Sequence, residues 1–174
     1  MLRKGNRKIK LIIASSLDGY IAKEDGSVYW LPQSGDSGYD NFYKSIDIVL
    51  MGKKTYEQIL TFGKFPYKDK TSYVFTRNPN QKKKDENVEF TSEVEEFTKE
   101  LVLSSGKDIW LVGGSDIIST FLNLKFIDEI ILTVIPVVLG KGIPLFKNIK
   151  EEVKLELIKT TEYPKLVELS YKVV

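Results

Sequence analysis

The stretch Trp110-Leu111-Val112-Gly113-Gly114-Ser115-Asp116 decides how the rest of the chain is read, and it has a twin in Val49-Leu50-Met51-Gly52-Lys53-Lys54-Thr55. Each is a short apolar run that stops at glycine and continues into residues with helical spacing. Such a run reads as a strand buried on both faces. A helix that starts directly behind it presents unpaired N–H groups and a positive dipole end at the strand's C-terminal edge. Glycine lets a phosphate approach that backbone closely. Two such turns can hold the two ends of a dinucleotide. Neither is a fingerprint alone. Gly113-Gly114 does not complete G-x-G-x-x-G, and Gly52-Lys53-Lys54-Thr55 lacks the upstream glycine of a phosphate loop, where Asp47 stands. A plain strand–helix connection is the alternative for each.

Outward from these turns, Lys10 to Ala14 reads as a first buried strand. Leu17 to Tyr39 is rich in Gly, Ser, Asp and Pro and reads as a long loop, of the kind that often forms a lid. Tyr39 to Ile46 predicts a short helix, Ile48 to Met51 a strand, and Lys53 to Leu60 a helix with Tyr56, Ile59 and Leu60 on one face. Ser72 to Thr76 and Val88 to Phe90 predict strands on either side of a lysine-rich surface turn, Asn78 to Asn87. Ser92 to Leu103 predicts a helix with Ser92 as N-cap and Glu95 completing a capping box. Ile109 to Val112 is a strand, Asp116 to Leu124 a helix, and Glu129 to Leu139 a long strand rich in Ile and Val. Leu155 to Thr161 and Val167 to Val173 alternate apolar and polar residues and predict an antiparallel hairpin turning near Tyr163-Pro164. The sum is an α/β fold with a mostly parallel sheet, covered on both faces, with an antiparallel edge.

Composition narrows the chemistry. The 174 residues suit one domain over 1–174, and the net charge of +2 is too small to imply a nucleic-acid or membrane partner. There is no cysteine and no histidine. Thiolate nucleophiles, Cys/His zinc sites and histidine bases are therefore excluded, and no metal is expected. Proton handling falls to carboxylates, Lys, Tyr or bound water. No apolar run reaches the roughly 18 residues of a membrane span. The run from Leu11 to Ala14 is too short for a signal-peptide core, and Arg3 to Lys8 reads as a solvated tail. A cytoplasmic location is the default expectation.

Four segments, in this order and spacing, resemble the dihydrofolate-reductase superfamily, and most of all the branch containing the C-terminal reductase domain of bacterial riboflavin biosynthesis and its stand-alone relatives. They are Ala14 to Ala22, Leu50 to Tyr56, Leu111 to Ser115, and Pro136-Val137-Val138-Leu139-Gly140-Lys141-Gly142-Ile143-Pro144-Leu145-Phe146. The resemblance spans about Lys8 to Val173. It implies a three-layer fold with a mixed sheet of about eight strands and a C-terminal antiparallel hairpin. It also implies NADPH along the strands' C-terminal edge, hydride transfer to a heterocyclic or sugar-imine substrate, a cis Gly113–Gly114 peptide and a homodimer.

By the same resemblance, Ala14, Ile21 and Ala22 contact the nicotinamide end, and Gly52, Lys53, Lys54 and Thr55 hold phosphates. Gly113, Gly114, Ser115 and Ile117 form the second cofactor turn. Lys53 is a candidate for the 2′-phosphate, with an exposed helix-start lysine as its alternative. Thr76 and Arg77 are further candidates, because the guanidinium fork suits a phosphate. Thr133 matches the strand threonine that backs the substrate acid in the folate enzymes, and is otherwise a β-branched strand residue. The acid itself is displaced: Tyr39 stands at its place, Asp40 is one residue away, and Asp36 needs a gap. One residue turns a helical side chain by about 100°, which argues against a true dihydrofolate reductase. Asp18 either shapes the loop or touches the substrate.

The leading expectation is an NADPH-dependent reductase of a pyrimidine- or pteridine-like substrate, as in the ribosylaminopyrimidine reductase step of riboflavin synthesis. One alternative is a true dihydrofolate reductase. The other is a nucleotide-binding module without catalysis, which Asp18, Asp36 and Asp40 all facing solvent would favour.

Overall fold

The computed structural model describes residues 7–32, 38–82 and 85–174. In chain order the elements are β1 (Ile9–Ser16), β2 (Tyr20–Ala22), α1 (Tyr39–Ser45), β3 (Ile46–Gly52), α2 (Lys53–Thr61), β4 (Thr71–Phe75), β5 (Val88–Thr91), α3 (Val94–Leu103), β6 (Asp108–Gly113), α4 (Ser115–Asn123), β7 (Glu129–Ile135), β8 (Ile143–Pro144), β9 (Leu155–Tyr163) and β10 (Leu166–Val173). Eight of the strands form one sheet in the order β5-β4-β3-β6-β1-β7-β10-β9. All neighbours from β5 to β7 run parallel, and β10 pairs antiparallel with both β7 and β9.

Strand alternation sorts the core into two layers. Ile9, Leu11, Leu50, Ile109 and Leu111 face α3 and α4, where they meet Leu101, Val102, Ile118 and Phe121. Val49, Met51 and Trp110 point the other way, to Tyr56 of α2 and the partly buried Phe42 and Tyr43 of α1. Near-continuous apolar runs are what a strand covered on both faces requires. Among the described residues, no helix is long and apolar enough to cross a membrane.

Four sequence expectations change. The loop from Leu17 to Tyr39 contains β2, which pairs antiparallel with β8 to form a small second sheet. The strand expected to reach Leu139 stops at Ile135, because Pro136 has no N–H for the ladder and the chain turns, with the Val137 N–H donating to Ile135 O at 2.7 Å. The capping box does not form. Helix α3 starts at Val94 with Glu93 as its cap residue and no side-chain cap, while the Ser92 hydroxyl is turned to the Glu93 carboxylate at 3.1 Å.

Finally, Arg7 is not part of a solvated tail; residues 1–6 lie outside the described residues. Arg7 is only 3% exposed. Its guanidinium pairs with Asp47 and donates to Lys107 O at 2.6 Å and Ser104 Oγ at 3.1 Å. Asp47 in turn accepts the Lys107 N–H at 3.0 Å. This cluster joins the chain ahead of β1 to the α3–β6 connection. Arg7→Ala removes a buried guanidinium together with its contacts to Asp47, Lys107 and Ser104 and is expected to cost about 2 kcal/mol. By contrast, Lys99→Ala breaks only an exposed i,i+4 pair with Glu95 and should cost under about 0.5 kcal/mol. Urea unfolding of both variants checks this, and equal midpoints would rule out the anchoring role of Arg7.

Candidate functional site

Strands β3 and β6 are parallel neighbours, with Met51 in register with Gly113. Helices α2 and α4 therefore start side by side at the sheet's C-terminal edge. Their N-cap residues, Gly52 and Gly114, supply no side-chain cap, so first-turn N–H groups of both helices lack a local side-chain acceptor. The junction has room because side chains are missing there. A Cβ on Gly114 would press to 3.3 Å from Thr55 Oγ1, and one on Gly52 would lie 3.9 Å from the Gly113 carbonyl oxygen. The Gly113–Gly114 peptide is cis.

A cleft of about 950 Å³ opens over this junction, within the roughly 300–1,000 Å³ of small-molecule sites. Gly52, Lys53, Lys54 and Thr55 line it from α2, and Gly114, Ser115 and Ile117 from α4. Thr76 and Arg77 line it beyond β4, Ala14 at the end of β1, and Ile21 and Ala22 on β2. Gly113 sits beneath, buried against Ile118 and Ile13, and does not line the cleft. From β4 across β3 and β6 to β1 the cleft crosses three strand spacings, about 14 Å. Ligands of open parallel sheets bind at this edge. Among the described residues, Lys53, Lys54, Arg77 and Lys147 line the cleft against one acidic residue, Asp116. Lys147 lies 2.7 Å from Asp116, and Lys53 lies 3.6 Å from Glu57.

Several lining residues escaped the sequence reading. Gln58 follows Lys54 by one helical turn, so the spacing carried a signal for it. Its side-chain amide donates to Gly26 O at 2.5 Å and ties the 24–32 loop to α2. Val28, Leu31, Ile143 and Lys147 arrive from remote segments and carried no local signal.

The three residues expected to act on the substrate are not brought together. Asp40 is exposed in the first turn of α1. Tyr39 beside it stacks on Tyr43 at 5.6 Å and sets its edge to Trp110 at 6.0 Å. Asp36 lies outside the described residues. Asp18 is exposed and engaged: its carboxylate accepts from the Ser16 hydroxyl at 2.7 Å and from the Leu139 and Gly140 N–H groups at 3.1 and 2.8 Å. Donation from Ser16, joined by those backbone N–H groups, holds its carboxyl below the usual range. Asp18 thus ties the β1–β2 turn to the backbone of Leu139 and Gly140. Thr133 stands in register with Ala14, one strand away on β7, outside the cleft lining.

Comparison with known proteins places this geometry among relatives. The model of the RibD C-terminal domain matches residues 64–169. The uncharacterized protein YwjB of Bacillus subtilis (strain 168) is 47% identical over 170 residues, covering 95% of this chain and 97% of that protein. A structure from Shewanella sp. PV-4, provisionally assigned to riboflavin biosynthesis, superposes with a TM-score of 0.87 at 25% identity and covers 96% of this chain and 99% of that one. Enterococcus faecalis dihydrofolate reductase in complex with NADP(H) superposes with a TM-score of 0.70 at 22% identity, covering 95% and 96% of the two chains. The fold is therefore dihydrofolate-reductase-like.

The Asp18 tie has a defined pH dependence. A depressed carboxyl keeps its contacts above its ordinary value and loses them as pH falls through its lower folded value. The Gly140 amide resonance is expected to titrate with a midpoint below 3.8. A midpoint at or above 3.8 would mean that the carboxylate does not hold that loop.

Proposed function

The chain belongs to the RibD C-terminal domain family, and on that footing we propose that it is an NADPH-dependent reductase that delivers hydride to a heterocyclic substrate of the ribosylaminopyrimidine kind. One observation carries the reading: two uncapped helix N-termini open side by side into a single cleft lined by cations. That arrangement suits an extended, multiply charged anion.

Lys53, Lys54, Thr55 and Ser115 would hold the phosphates of the dinucleotide. Arg77, with Thr76, would take the 2′-phosphate, whose oxygens match the guanidinium fork. Ala14, Ile21 and Ala22 would flank the nicotinamide end. NADPH would supply the hydride; the protein would supply position, a dry wall and a favourable field. With no histidine in the chain, the accompanying proton would come from water. NADP(H) in the structurally similar dihydrofolate reductase supports the choice of cofactor.

The exposure of Asp18 and Asp40 favours a second reading, a nucleotide-binding module without turnover. Ligand titration followed by turnover assays separates the two. NADPH at 100 times its Kd should stabilise the fold by about 2.7 kcal/mol. Arg77→Ala should weaken NADPH about tenfold and leave NADH little changed, because one charge-assisted contact is lost. Absence of NADPH binding would end the reductase reading. Binding without NADPH oxidation, on either the ribosylaminopyrimidine or dihydrofolate, would decide for the module.

A further inference from the structure

A row of side chains leads away from the cleft and, beyond its first member, is not used by the cofactor reading. Ala14 on β1 is in register with Thr133 on β7, Thr133 with Glu168 on β10, and Glu168 with Thr161 on β9. Side chains in register across a sheet share one face. Here it is the face of α1 and α2: Ile12 packs into the layer of Trp110, whereas Ile13 and Leu132 pack into the opposite layer. The row begins at Ala14, which lines the cleft, and reaches Glu168 two strand spacings away, about 10 Å.

Glu168 carries the row's one carboxylate. It is half-buried, and among the described residues it accepts no hydrogen bond and forms no ion pair. Burial pushes its carboxyl above the usual range, against the pull of Lys159. A carboxylate drawn partly out of water without donors is costly, and a ligand bringing donors relieves that cost. Asp18 is committed to the backbone of Leu139 and Gly140, and Asp40 lies exposed on α1, so neither competes for this place.

Resting on the reading of the cleft as an NADPH site, we propose that Glu168 is the substrate-anchoring acid: its two oxygens accept paired N–H donors from the amino-substituted edge of a pyrimidine-type ring lying over Thr133, with the ring's far side toward Ala14. A carboxylate accepts such a pair with both oxygens, whereas an amide offers one acceptor and one donor and meets a like donor. The substrate class this selects is a heterocycle with adjacent N–H donors. Glu168 then sets specificity and leaves cofactor affinity to the helix N-termini.

The test is titration of the NADPH-loaded protein with 2,4-diaminopyrimidine, at a pH where its ring N1 is protonated so that N1–H and the 2-amino group form the donor pair, and with 2,4-dimethoxypyrimidine as a probe without N–H donors. The full chain should bind the diamino ring at least tenfold more tightly than the dimethoxy ring. Glu168→Gln should erase that preference while changing NADPH affinity less than twofold. Glu168→Asp, which withdraws the carboxylate by one methylene, should weaken the diamino ring in the same direction and serves if the glutamine variant does not fold. Glu162→Gln, on the opposite face of the hairpin, should change neither ligand. If NADPH binds but the diamino ring does not, or binds the wild type and Glu168→Gln equally, the assignment of Glu168 falls and the cofactor reading stands. If NADPH itself does not bind, both fall together.

Discussion

The parallel pairing of β3 with β6 is the constraint on which everything else depends. It is satisfied from both sides of the sheet: Leu50 and Leu111 are buried toward α3 and α4, and Val49, Met51 and Trp110 toward α1 and α2. A slip of one residue would exchange the two faces and set each row of side chains against the wrong helices. The same pairing sets Gly52 beside Gly113, so the two helices that follow begin together. The positive ends of α2 and α4 therefore converge without any dedicated binding loop. Packing of the core and placement of the site are one event.

The cleft's other wall depends on remote backbone contact. The β1–β2 turn is fastened to the segment after β7: the Leu17 N–H donates to Val137 O and the Leu145 N–H to Gly19 O, both at 2.8 Å, and Asp18 holds two further N–H groups. Gly142 lies so close to β2 that a Cβ there would collide with the Ala22 carbonyl oxygen. Ser115 at the head of α4 donates to Pro144 O, and Ser119 one turn on donates to Lys147 O at 2.5 Å. Ile21, Ala22, Ile143 and Lys147 are thus carried to the cleft by one strapped unit. Rigid support of this kind is what a positioning site needs when the reactive group belongs to a cofactor.

With no histidine in the chain, a ring edge that presents N–H donors must be met by carboxylates, amides, hydroxyls or backbone carbonyls. Among the described residues, Asp18 is committed to a turn and Asp40 is exposed on the first turn of α1. The antiparallel hairpin therefore matters beyond closing the sheet. It continues the sheet beyond β7 and sets Glu168 in register with Thr133.

Local pattern was enough for the strands of the main sheet, the helices, the two glycine turns and the terminal hairpin. Each rests on contacts between near neighbours: apolar periodicity, a glycine at a helix start, alternation in a two-stranded ribbon. Gly52 to Thr55, Gly114, Ser115, Thr76 and Arg77 line the cleft because each lies at or soon after the end of a strand. The capping box at Ser92 failed because two local hydrogen-bonding arrangements compete there and tertiary context chooses between them. What the tertiary structure alone decided joins residues about a hundred positions apart: Arg7 with Lys107, Asp18 with Leu139, β2 with β8, Ala14 with Thr133. A buried arginine and an exposed one, or a turn-forming aspartate and a substrate-binding one, look alike in sequence. Their environment is supplied by side chains that only the folded sheet brings near, and burial and hydrogen bonding, not residue type, set what such groups do.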